Sequence, residues 1–134
     1  MRDMRIIIAA GHTRQTYADE LLLADQLDDI HDKCFGGQGT TLIPVILPPG
    51  VIDMTSRLAD NRSWTTQIYT YDYMKHPENG AQLSNQNIIS HGADLLLALP
   101  DALADGTSPG TWDMVRRAVV AGIETRIYPE ASHE

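Results

Sequence analysis

Asp94-Leu95-Leu96-Leu97-Ala98-Leu99-Pro100 is the stretch on which the fold turns. Five apolar residues in a row do not suit a strand with one face in water. They suit a strand covered on both faces, and Pro100 stops it. Parallel sheets wrapped by helices bury strands in this way, so helical patterns are expected on either side. Downstream, a polar loop from Asp101 to Pro109 leads into a helix over Trp112 to Ala121. Its stripe is Met114, Val115, Ala118 and Val119, with Arg116 and Arg117 outside. Gly122 suits a C-cap, and Glu124 to Tyr128 forms a last strand. Upstream, Ala81 to His91 reads as a weaker helix and Thr65 to Tyr71 as an alternating strand. Thr41 to Leu47 is an apolar strand closed by Pro48-Pro49-Gly50, with helical character from Ile52 to Ala59. Arg5 to Ala10 runs apolar into Gly11. Tyr17 to His31 then places Leu21, Leu23, Ala24, Leu27 and Ile30 on one face, with Asp19, Glu20, Asp25, Asp28 and Asp29 elsewhere. The expectation is α/β: a single Rossmann-like three-layer domain over residues 1–134, about five parallel strands with helices on both faces.

Composition narrows the function. The chain has 134 residues, 43% hydrophobic and 21% charged, within the range of one globular domain. Its net charge of −8 is spread along the chain, with 6 Lys+Arg against 9 Asp+Glu up to Gln67 and 4 against 9 after it. No basic half could track a phosphate backbone or an anionic bilayer, so nucleic-acid polymers and membranes are not expected partners. The lone Cys34 suits a reducing compartment, and no apolar run is long enough for a signal h-region or a membrane span, giving an expected cytoplasmic location. The five histidines show no ligand spacing, so neither a metal site nor a cofactor is expected.

Open parallel sheets bind ligands at the carboxyl ends of their strands. Three loops therefore matter. Gly11-His12-Thr13-Arg14 follows the first strand, with a glycine for close approach, a titratable ring and a cation; the same residues also suit a plain βα turn. Gly50 lies after the second strand. Gly106, Thr107, Ser108, Gly110 and Thr111 precede the last helix, where hydroxyls and helix N–H groups can hold a phosphate without Lys or Arg. Asn85, at the start of the helix before the fourth strand, could add an amide. Asp113 and His12 are the candidate acid/base groups. Asp53 and Arg57 read as a helix cap and an i,i+4 pair, and the glycines of Phe35 to Gly39 as helix termination on the opposite side of the sheet.

The order of elements and the residues at their joints resemble a family. From Arg5 to Tyr128 the chain looks like a YspA-type member of the SLOG superfamily, related to cpYpsA, DNA-processing and LONELY GUY (lysine-decarboxylase-like) Rossmannoid domains. The likeness is strongest in Asp94 to Pro100, Gly110-Thr111-Trp112-Asp113-Met114-Val115-Arg116-Arg117-Ala118 and Ala121-Gly122-Ile123. Gly11-His12-Thr13-Arg14 approximates the family's Gly-x-Arg, and Ser84-Asn85 its Arg-Asn. The family's glycine-rich second loop is replaced by Pro48-Pro49-Gly50-Val51-Ile52-Asp53. The catalytic Glu of related phosphoribohydrolases falls on Met114, with Asp113 one residue early.

The resemblance implies binding of a nucleotide or nucleotide-derived molecule, such as an ADP-ribose-like or cyclic species, by a sensor or a sequestering protein of the kind a phage or mobile element encodes. One alternative is hydrolysis of a nucleoside or nucleotide N-glycosidic bond. Another is a structural or interaction subunit. A homo-oligomer, most simply a dimer, is expected from the apolar content of the helices over Leu21 to Ile30 and Met114 to Val119.

Overall fold

A computed structural model describes residues 4–11, 13–33, 39–45, 49–69, 80–101 and 109–129. Strands β1 (Met4–Ala10), β2 (Thr40–Val45), β3 (Thr65–Thr66), β4 (Leu95–Leu99) and β5 (Glu124–Ile127) alternate with helices α1 (Tyr17–Lys33), α2 (Pro49–Asn61), α3 (Gly80–His91) and α4 (Pro109–Val120). The sheet runs β3-β2-β1-β4-β5 and every pairing is parallel. It is the α/β domain expected from the run at Leu95. That run is wholly buried, Ile6 through Ala9 likewise, because each strand is covered on both sides.

The pleat divides the core in two. Ile6, Ile8, Leu42, Leu95, Leu97 and Leu99 face Leu23, Leu27 and Ile30 of α1 and Val51, Met54 and Leu58 of α2. Ile7, Ala9, Ile43, Leu96 and Ala98 face Ile88 of α3 and Met114, Val115 and Ala118 of α4. Burying the larger of these side chains, at ~1.5–3 kcal/mol for each Leu, Ile, Val or Met, is the main force holding the layers together.

Three boundaries differ from the sequence reading. Helices α2 and α4 begin at Pro49 and Pro109, three residues earlier than expected. A Pro-Gly pair reads as a turn, but proline's fixed φ and missing N–H suit the first position of a helix. Gly110 and Thr111 are thus helical residues rather than loop. The alternating segment at Thr65 contributes only two residues to the sheet.

Pro44 sits inside β2, opposite Ile8 of β1. Leu42 accepts from the Gln67 N–H at 2.9 Å, so Leu42 points its peptide groups toward β3, and Pro44, two residues on, faces the same way. There β3 has already ended, and the N–H that proline lacks has no ladder partner to lose.

Gly122 does end α4 as expected. Its φ is +79°; the Gly122 N–H reaches the Val119 carbonyl at 3.1 Å and the Ile123 N–H reaches Ala118 at 2.9 Å, a Schellman motif. No atom lies within 4 Å of a Cβ built there, so Gly122→Ala isolates the backbone strain. Chemical denaturation is expected to show a loss of about 1 kcal/mol, and a smaller one for Gly122→Asn.

Candidate functional site

Strand order reverses between β1 and β4, so the crevice of this sheet opens where Gly11 and Pro100 leave their strands. The turn after β1 is tightly tied. Gly11 donates its N–H to the Leu99 carbonyl at 2.9 Å, and Arg14 N–H returns to the Gly11 carbonyl at 3.1 Å. Asp101, buried at the end of β4, accepts from both the N–H and the hydroxyl of Thr13, at 2.9 and 2.7 Å. The backbone donors of Gly11, Thr13 and Arg14 are therefore all engaged within the protein.

Arg14 is where expectation and structure differ most. Instead of a cation presented to a ligand, it is 3% exposed. Its Nε donates to Asp19 at 3.0 Å, and its Nη1 donates to the carbonyls of Pro100 at 2.8 Å and Tyr128 at 2.6 Å. One guanidinium thus fastens the ends of β1, β4 and the segment after β5 to the start of α1. Asp19, expected on the polar face, is buried for this reason. Its other oxygen, Oδ2, accepts from the Thr16 hydroxyl at 2.9 Å, while Thr16 Oγ1 accepts the Asp19 N–H at 3.2 Å, a reciprocal cap on α1. Tyr128 completes the corner: its hydroxyl donates to Gln26 at 2.8 Å, and burial raises it above the ordinary tyrosine range.

A second cluster joins α3 to α4. Asn85 is fully buried, and its Nδ2 donates to the Gly110 carbonyl and to Asp113 Oδ2, both at 3.0 Å. Arg117 Nε donates to the same Asp113 oxygen at 2.8 Å. Both Nδ2 hydrogens being used, the amide orientation is fixed, and Oδ1 is buried without a partner among the described residues, as is the hydroxyl of Ser84. Asp113 lines the groove between α3 and α4. The sequence brought Asn85, Gly110 and Asp113 forward separately; the fold places them in one hydrogen-bonded unit.

Gly50 lies in the first turn of α2 rather than in a free loop. Arg57 does not simply pair with Asp53 on its own helix. It reaches Glu20 of α1, whose hydrogen bond is the main influence holding the guanidinium above its usual range. His12, Gly106, Thr107 and Ser108 lie outside the described residues. Asp101 went unrecognised as a partner of Thr13, although a polar residue just past a buried strand and its proline marks a switch-point position. Arg117 was read only as an outward charge.

Among the described residues no group of three His, Cys, Asp or Glu could hold a metal ion, and no helix is long and apolar enough to cross a membrane. No protein-family model matches the chain, and no curated protein is significantly similar to it.

Proposed function

We propose that the chain is a SLOG-like nucleotide-binding module that holds a nucleotide-derived small molecule, such as an ADP-ribose-like species, in the crevice between β1 and β4. The observation that carries this reading is the strand order, which sets the switch point between those two strands; α4, which joins the parallel strands β4 and β5, starts from the same end of the sheet. The donors after β1 are committed, so the phosphate falls to α4. Its first-turn N–H groups, at Gly110 and Thr111, have no acceptor within the helix. Asn85 fixes that turn from below through the Gly110 carbonyl. The sugar or base then lies over Gly11 and Thr13. Binding is favoured over cleavage because the Asp113 carboxylate is taken up by Asn85 and Arg117 in the α3–α4 groove.

Thermal denaturation against a panel of nucleotides and ADP-ribose derivatives tests this. A ligand at a hundredfold above its Kd stabilises by about 2.7 kcal/mol, a rise of several degrees. Gly110→Asp should abolish the rise, since a carboxylate at the helix start repels phosphate, and its unfolding without ligand serves as the reference. No rise with any of the panel at millimolar concentration would exclude the reading.

A further inference from the structure

The hydrogen-bonded run from Asn85 through Asp113 to Arg117 ends in a groove. Asn85 is buried and donates to Asp113 Oδ2, which also accepts from Arg117 Nε at 2.8 Å. Arg117 is thus held by Nε, while its Nη1 and Nη2 donate to no described residue. A guanidinium steadied in this way keeps a planar pair of donors, the geometry that a carboxylate accepts in bidentate fashion.

Its neighbour in sequence adds a second cation. Arg116 is exposed and makes no hydrogen bond or ion pair among the described residues. The other described arginines and Lys33 all have partners. Both arginines line a groove of about 440 Å³ between α3 and α4, within the size range of small-molecule sites. Asp113, Arg116, Arg117 and Val120 stand at i, i+3, i+4 and i+7, so they share one face of α4. Beyond the arginines that face turns apolar, with Val120 and Ala121 on one wall and Ile89 on the α3 side.

Charge selects the occupant. Two arginines against one acid leave the groove at +1, in a chain whose net charge is −8. A positive recess on an acidic protein draws anions, and a single net charge matches a carboxylate better than a doubly charged phosphate. We infer that this groove binds a small carboxylate with an aliphatic tail. Its head lies on the Arg116 and Arg117 guanidiniums and its tail along Ile89, Val120 and Ala121. A nucleotide suits the groove less, since no aromatic ring lines it to face a base. The inference goes beyond the crevice between β1 and β4 and does not depend on what that crevice holds.

Titration of the ¹⁵N-labelled protein with octanoate, followed by amide and Arg Nε–H chemical shifts, is the test. The α3–α4 signals should move saturably with a Kd of about 1 mM or tighter, and those of α1 and α2 should stay in place. The affinity should fall as salt is raised. Arg116→Glu changes an exposed side chain without a partner, so it should leave the circular dichroism spectrum unchanged and weaken octanoate about tenfold. No saturable response up to about 10 mM overturns the inference, as does an affinity that ignores Arg116→Glu. Octanol binding as well as octanoate would reduce the groove to an apolar patch, and acetate binding as well would reduce it to a charge; either result overturns the inference. Co-sedimentation with phosphatidylglycerol vesicles, with no response to free octanoate, would overturn it in favour of a lipid surface.

Discussion

Arg14→Met is expected to lower the unfolding free energy by about 3–5 kcal/mol, the range for breaking a buried ion pair from one side. The variant strands the Asp19 carboxylate beneath the β1 turn and removes the Arg14 donor to the Pro100 and Tyr128 carbonyls. A domain of this kind has about 5–15 kcal/mol of stability in total, so the protein would sit near the edge of folding at room temperature. Urea denaturation measures the loss directly. Arg14→Lys should fall between, because an ammonium cannot serve three acceptors with the geometry of a planar fork. The double variant Arg14→Met/Asp19→Leu should recover part of the loss, since it removes the stranded charge as well. A well-folded Arg14→Met of wild-type stability that fails only in ligand binding would instead make Arg14 a ligand contact, as the sequence suggested.

The second large effect is expected for Asn85→Asp. It exchanges a buried donor for an acid 3.0 Å from the Asp113 carboxylate. Burial and the neighbouring charge both raise the folded-state pKa of the new group. The folded protein would then keep a proton that the unfolded chain releases above its ordinary value of about 3.9. Stability is accordingly lost as pH rises through that value and regained as pH falls toward it. If the new acid stays protonated in the fold, the loss at about pH 7 reaches roughly 4 kcal/mol, at 1.36 kcal/mol per unit. Near pH 4 only the lost hydrogen bond to Gly110 remains, about 1 kcal/mol. Denaturation of variant and wild type side by side at both pH values checks the prediction. An equal deficit at the two would show that no carboxylate repulsion is involved.

The layered fold was legible because its signal is redundant. Uninterrupted apolar runs at Ile6 and Leu95 cannot be satisfied by a half-exposed sheet, and the helical patterns between them leave a wrapped parallel sheet as the answer. Helix starts were less legible, because Pro49 and Pro109 serve a turn and a first helical position equally well. The site was legible only as a list of parts. Nothing in Gly11 to Thr16 says that Arg14 will turn inward, since its acceptors, Pro100 and Tyr128, lie 86 and 114 residues away. The Thr16-x-x-Asp19 spacing is that of a reciprocal cap, and a capping acid five residues after an arginine is a signal for their pairing. Asn85 was found for the amide that it is, but its partners belong to a helix that follows 25 to 28 residues later. Leu21 and Val119 show the same limit from the apolar side: period places both near a buried face, yet both are exposed.

Pro44 has a further consequence. With β3 ending at Thr66, the last part of β2 is in effect a margin of the sheet among the described residues. A strand from another molecule could otherwise extend the ladder there and seed cross-β growth. A proline whose ring fills that side offers an incoming chain one donor fewer and a steric obstacle at the first free rung. The residue therefore takes one rung out of the ladder that a protein with long apolar strands would otherwise offer to a foreign chain.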